Sequence, residues 1–510
     1  MLKVAAQRSR RVRGPLLTAA VAAAGFWVAR GALVDDAYIT LSYARNVALH
    51  GTWGLLSDVP SATATSPLWV LLLAAATALV RDALWALAVV HVAVAAATTA
   101  VLQALARRTG LPAWTAPVAV GAVLVNPLVL SVVGMESLLL VALFAATALA
   151  GAAARPALFG ALAGAAFLTR MDAAPALVAL ALCSPAVLRR LHVAVPVAAL
   201  TAATWTTWSW FALGTAVPDT FVIKSQQHSW GPWSVVNGWR WFVELYGADA
   251  VVAFAPLALA VPALVVTAAR ARALLPWLAL TLAGVVHVAT LAVVVVPPYH
   301  WYYAPAVACC LLGAVAALAS LTAPAAPAAP GAPGARRSRR TPRRAPRRVR
   351  PPALPAAAAV AGAAALLVPA LVVDAGRALP WRVVPVQTNW ATSDAYDDMG
   401  RGLREVLRGE RVLTFGEIGH LAYVCDCVVD GFADPALVRD GVRRAVREAG
   451  PVLRPVLELN YRHRDAAQRP VPLVGRLEVL PVSREAPEPS WPLDLLPGGG
   501  TVHLVREPRG

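Results

Sequence analysis

Apolar residues along this chain fall into long blocks separated by charge, proline and short polar loops. The series opens with residues 15–34 and continues through 83–106, 113–133, 137–154, 157–171, 173–188, 193–213, 248–269, 273–296, 304–322 and 353–373. Runs near twenty residues cross hydrocarbon as helices, so the pattern predicts a polytopic, mainly α bundle of about eleven spans. The run 67–80 is too short for that and predicts an interfacial or re-entrant segment. Residues 157–171 and 173–188 form the least regular pair, interrupted by Thr169-Arg-Met-Asp172.

Basic residues fix an orientation. Lys3, Arg8, Arg10, Arg11 and Arg13 precede the first run, and nine arginines lie between Arg336 and Arg350. Positive charge beside a span holds a loop in the cytoplasm. With 67–80 left out of the count, Arg107-Arg108, Arg155, Arg189-Arg190, Arg270, Arg272 and the Arg/Pro-rich linker 324–352 all face inward. The first run then reads as a retained anchor with a cytoplasmic amino terminus. The loops 35–66 and 214–247, the segment 297–303 and the tail 374–510 face outward. Two domains follow: a membrane domain, 1–373, and an extracytoplasmic α/β tail, 374–510. In the tail, Arg411–Phe415 and Cys427–Val429 read as strands. Glu417–Val424 and Pro435–Ala449 read as helices, the second with Asp434 as its N-cap, and the Pro- and Gly-rich end reads as extended or loose.

Composition agrees. The 510 residues are 58% hydrophobic and only 14% charged, with a mean hydropathy of +0.62. That is too apolar for a soluble chain and places it in a cell membrane. The net charge of +17 does not point to nucleic acid, because the two span-flanking tracts hold 14 of those charges. The plain reading of the linker is a cytosol-retained segment beside anionic lipid. Five cysteines make no disulfide framework, and Cys425 and Cys427 are too close for a bridge on an extended backbone.

Polar residues near a bilayer are costly, so those that break the apolar pattern on the outward side are the candidates for chemistry. Asp35-Asp36 leaves the first span. Adjacent carboxylates repel, which suits one of them to proton abstraction. The pair suits a divalent cation equally well, and the bland alternative is a helix end at the water interface. Asp219 and Lys224 lie in the loop 214–247, where a lysine pairs with a lipid phosphate or simply snorkels. His300, Tyr302 and Tyr303 fall between two spans, as phosphate or sugar ligands or as an aromatic belt. Tyr38, Arg45, Glu136 and the pair Arg170/Asp172 complete the set, the last two able to neutralise one another.

These blocks resemble a family. Val34–Asn46 (VDDAYITLSYARN), Gly51-Thr-Trp-Gly54 and Thr65-Ser-Pro-Leu-Trp69 look like the first outer loop of polyprenyl-phosphate-sugar-dependent C-type glycosyltransferases, nearest to bacterial cell-envelope arabinofuranosyltransferases. The likeness continues at Gly134-Met-Glu136, Leu168-Thr-Arg-Met-Asp172, Val217-Pro-Asp-Thr220 with Lys224, and His300-Trp-Tyr-Tyr303. In the tail it includes Gly416-Glu-Ile-Gly419 and Val429-Asp-Gly-Phe-Ala-Asp-Pro435. The chain departs from the family at Ala62-Thr-Ala-Thr65, at Arg170-Met-Asp172 and at Leu55–Pro60, near where sugar would bind.

The resemblance implies an inverting transfer of a sugar, arabinofuranose first, from a polyprenyl phosphate to a cell-envelope glycan hydroxyl on the extracytoplasmic face. Asp35 or Asp36 would be the base. Lys224, Arg170, His300 and Tyr303 would hold the donor phosphate, and Tyr38, Arg45, Glu136, Asp219 and Tyr302 the substrate. A divalent cation is possible on this pattern and no other cofactor is implied. The alternatives are a mannosyltransferase of the same fold acting on protein or lipoglycan, and a lipid or solute transporter. A transporter predicts repeated halves and charge near the midplane.

Overall fold

In a computed structural model, residues 2–227, 229–322, 356–482, 484 and 486–506 are described. The arginine-rich linker 324–352 lies outside them. The chain is mainly helical, with a small sheet near its carboxyl end. Six helices are long and apolar enough to cross a membrane: Val12–Ala29, Ala83–Thr109, Ala248–Ala269, Ala273–Val294, His300–Thr322 and Ala357–Ala375. They leave large apolar side chains exposed, among them Val261, Val293 and Val372, as suits an apolar surrounding.

Among the other expected spans, 193–213 forms one helix of 22 residues, Leu191–Ala212, and the rest are shorter or broken. Residues 113–133 divide at Asn126-Pro127 into Thr115–Leu124 and Pro127–Ser131. Asn126 caps the second piece through the amides of Leu128 and Val129. Residues 173–188 divide into Met171–Ala173, Ala174–Leu182 and Pro185–Leu188. Pro156–Thr169 has 14 residues, about 21 Å of helix, so its end carries Arg170 to a level inside the bundle. It is clamped there against Leu191–Ala212, because a Cβ on Gly160 or Gly164 would meet the backbone of Ala194 or Ala198.

The loop 35–66 begins as a helix, Asp35–His50, ended by Gly51 in the left-handed conformation. Asn46 donates to the carbonyls of Gly54 and Leu55 (both 3.0 Å), folding the loop back on the helix. The chain after the last span then returns across this end of the bundle. The Trp381 N–H donates to the Val28 carbonyl (2.8 Å). Asn389 joins the Leu33 carbonyl (3.0 Å) to the Asp35 N–H (3.1 Å).

The tail holds five strands in the order β2-β1-β3-β5-β4, where β1 is Val412–Leu413, β2 Val428–Val429, β3 Gly475–Leu480, β4 Ser490–Pro492 and β5 Thr501–Arg506. β1 pairs in parallel with β2 and β3, while β5 is antiparallel to β3 and β4. Of the two readings of the carboxyl-terminal stretch, extended and loose, the extended one holds where it supplies three strands. Its helices start later than expected, at Gly419 and Arg439. Asp434 caps a turn through the Ala436 N–H and also accepts from the Val471 N–H (both 2.8 Å).

Cys425 and Cys427 are disulfide-bonded, against expectation. The backbone between them is not extended: Asp426 is left-handed at φ 55°, which brings the two Cα atoms to 5.1 Å. Cys183, Cys309 and Cys310 are free. Titration of the denatured, unreduced protein should find three thiols among the five cysteines; five would remove the bridge.

Candidate functional site

Asp35 and Asp36 begin one helix, so their side chains leave it about 100° apart. Asp35 turns into the tail. Its carboxylate accepts from the N–H groups of Gly419 (2.9 Å), Ile418 (3.3 Å) and His420 (2.8 Å). It thereby caps the helix Gly419–Cys425 from another domain. The approach needs glycine, since a Cβ at 419 would lie 2.0 Å from the Asp35 carbonyl oxygen. Asp36 turns the other way, with Oδ2 at 3.6 Å from Lys224 Nζ.

Lys224 sits on Thr220–Gln227. Its ammonium lies 5.3 Å from the ring centre of Tyr299 and 5.8 Å from those of Trp301 and Tyr302, a cation held over aromatic faces. Burial alone would lower the amine. The Tyr302 hydroxyl and the Asp36 carboxylate outweigh burial and hold it above its ordinary value, so it stays charged.

Tyr302 connects this pair to a second cation. The Arg170 guanidinium is 5.3 Å from the Tyr302 ring centre. Arg170 bonds Asp172 through two nitrogens (3.0 and 2.5 Å) and Glu136 through a third (2.7 Å). His287 Nε2 lies 3.4 Å from Asp172. Asp36, Glu136, Thr63, Thr220, Lys224 and Phe432 line one cavity of about 30 Å³. That volume holds a water or two and no sugar ring. The tail closes one side of it, where the Thr63 hydroxyl donates to the Phe432 carbonyl (2.6 Å).

The structure thus brings Asp36, Glu136, Arg170, Lys224 and Tyr302 together. It places the remaining sequence candidates in packing contacts. Tyr38 stacks on His420 (3.9 Å) and Arg45 donates to the Tyr423 carbonyl (2.6 Å), both holding the tail. Asp219 is buried against Arg464 (2.7 Å), another tail contact. The Tyr303 hydroxyl donates to the Val235 carbonyl (2.7 Å). His300 is fully buried among aromatics, and among the described residues neither ring nitrogen has a hydrogen-bond partner. A 3₁₀ turn over His300–Tyr302 separates successive side chains by about 120°, so Trp301 and Tyr302 reach Lys224 while His300 turns toward Phe242.

The tail adds acids that reasoning from charge alone did not single out. Glu417 accepts from the Trp390 N–H (3.1 Å). Burial, followed by the Asp35 charge, pushes it well above the usual carboxylate range. Burial pushes Asp430 up to about 7, against the Phe432 and Ala433 amides and with help from Asp35 and Asp36. Burial likewise raises Asp35, against its backbone amides. Both tail acids lie in the segments Gly416–Gly419 and Val429–Pro435 already notable in the sequence. Among the described residues no three His, Cys, Asp or Glu side chains converge to hold a metal.

Asp430 carries a pH prediction. Its folded pKa is above the unfolded one, so stability is fully present below the ordinary carboxylate value and is lost as pH rises through about 7. The melting temperature should fall between about pH 4 and about pH 7 and level off above, less steeply in Asp430→Asn. An unchanged slope in that variant would take the proton away from Asp430.

A larger apolar groove has a volume of about 810 Å³. Trp53, Leu68, Leu71, Leu168, Trp205 and Trp208 line it. Leu68 follows Ser66 of the cavity wall by two residues, and Leu168 precedes Arg170 by two. Comparison with protein families, with curated proteins and with solved structures finds no match to this chain.

Proposed function

We propose that the protein is an integral-membrane glycosyltransferase that moves a sugar from a polyprenyl phosphate to an acceptor hydroxyl on the extracytoplasmic face. The observation that carries this reading is the Asp36 carboxylate held 3.6 Å from Lys224, with Arg170 behind Tyr302. Asp36 takes the acceptor proton as the hydroxyl oxygen attacks the anomeric carbon. The bond from that carbon to the phosphate oxygen breaks, and the pair of electrons leaves with the phosphate. Lys224 stabilises the charge that gathers there, with Arg170 adding to the local positive field. Glu136 and Asp172 neutralise Arg170 in the closed state and would have to share it with the phosphate. The groove beside Trp205 and Trp208 accommodates the prenyl chain. Arabinofuranose is the sugar favoured by the resemblance of the first outer loop.

A closed cavity requires the contact between Thr63 and Phe432 to open for substrate. The Cys425–Cys427 bridge agrees with an oxidising compartment for the tail. The test is purified protein in liposomes, supplied with labelled polyprenyl-phosphate arabinose or mannose and a cell-envelope glycan. Label should pass to the glycan from one of the two donors. Failure with every lipid-linked sugar, accompanied by movement of lipid between leaflets, would replace the enzyme with a transporter.

A further inference from the structure

We infer that the tail is a second membrane-contacting element: the helix Leu453–Asn460 rests on the bilayer surface with one side in the hydrocarbon boundary. Leu453, Val456 and Leu459 recur at intervals of three and share a side with Val452, which precedes the helix. Val452 is 84% exposed, Val456 58% and Leu459 54%. Leu457 and Asn460, on the adjoining side, are buried. An apolar stripe left bare beside a packed one marks an interaction surface.

Its occupant follows from what the helix is fastened to. The Leu459 carbonyl accepts from Trp210 Nε1 (2.9 Å), at the end of the long apolar helix Leu191–Ala212. Asn460 accepts from the amides of Ala216 (3.0 Å) and Val217 (2.9 Å), just past that end. His463 lies edge-on to Trp210 and 4.9 Å from the Phe211 ring, which is itself 62% exposed. Tryptophan and phenylalanine at the end of an apolar helix stand at headgroup depth. A helix bonded directly to them stands there too, so lipid is the surface that Val456 and Leu459 meet. The surrounding segment 439–464 has seven arginines and three carboxylates, a balance that suits anionic headgroups. The inference holds whichever reaction the cavity performs and whichever side of the membrane the tail occupies.

The test uses the full chain in liposomes of phosphatidylcholine and phosphatidylglycerol. Val456→Cys, in a Cys183→Ser background, carries an environment-sensitive fluorophore; Asp398→Cys, on an exposed tail helix, serves as reference. The label at 456 should shift to the blue and lose intensity to lipids brominated near the top of the acyl chain, while the label at 398 does neither. Equal, unquenched emission from both positions would overturn the proposal. A blue shift without bromine quenching would also overturn it, giving the face to a second copy of the chain.

Discussion

Asparagine in place of Asp36 should leave a folded protein that transfers sugar about 10²–10⁴-fold more slowly. The side chain is part exposed and, among the described residues, its ion-pair partner is Lys224, 3.6 Å away. The pair is half-buried and too long for a hydrogen bond, and the ammonium keeps its aromatic faces in the variant, so stability should fall by only about 1–2 kcal/mol. The larger effect therefore falls on the reaction, because an amide cannot receive the acceptor proton. Transfer rate and melting temperature, measured on the same preparation, separate the two quantities. Unchanged transfer would end the role assigned to Asp36, and a collapse in melting temperature would make it structural.

The opposite outcome is expected one residue earlier. Asp35→Ala removes the acceptor for the Gly419 and His420 amides, both buried. Each orphaned donor costs about 1–3 kcal/mol, so the variant should lose about 2–6 kcal/mol and the tail should be cut sooner by protease near residue 380. Asp35→Asn belongs with it, since its amide nitrogen would oppose a backbone N–H. Wild-type melting in Asp35→Asn would show that the cap contributes nothing.

The division of labour between these two carboxylates explains what a sequence can and cannot reveal here. Apolar runs announce helices, and long ones such as 83–106 and 304–322 return nearly unchanged as Ala83–Thr109 and Ala304–Thr322. Polar residues that interrupt those runs are visible for the same reason, which is how Lys224, Arg170 and Glu136 stand out. Direction is not visible. Whether Asp35 or Asp36 faces the cavity depends on helical phase against a domain almost 400 residues later. The bridge between Cys425 and Cys427 depends on one left-handed residue, Asp426. The alternation in β3 and β5 is short and lies among prolines and glycines that read as loops. Short helices such as Pro156–Thr169 and Ala174–Leu182 are fixed by packing inside the bundle, and apolar length alone says little about where they end.

The account stands on the side of the membrane to which the first outer loop is delivered. Asp58 is 63% exposed by side chain, on the same loop as the cavity wall. Cysteine at 58, in a Cys183→Ser background, should react with a membrane-impermeant maleimide in intact cells as fully as in lysed ones. Reaction only after lysis would put Asp36 and Lys224 in the cytosol, away from lipid-linked sugars on the outer leaflet, and would contradict the proposed reaction.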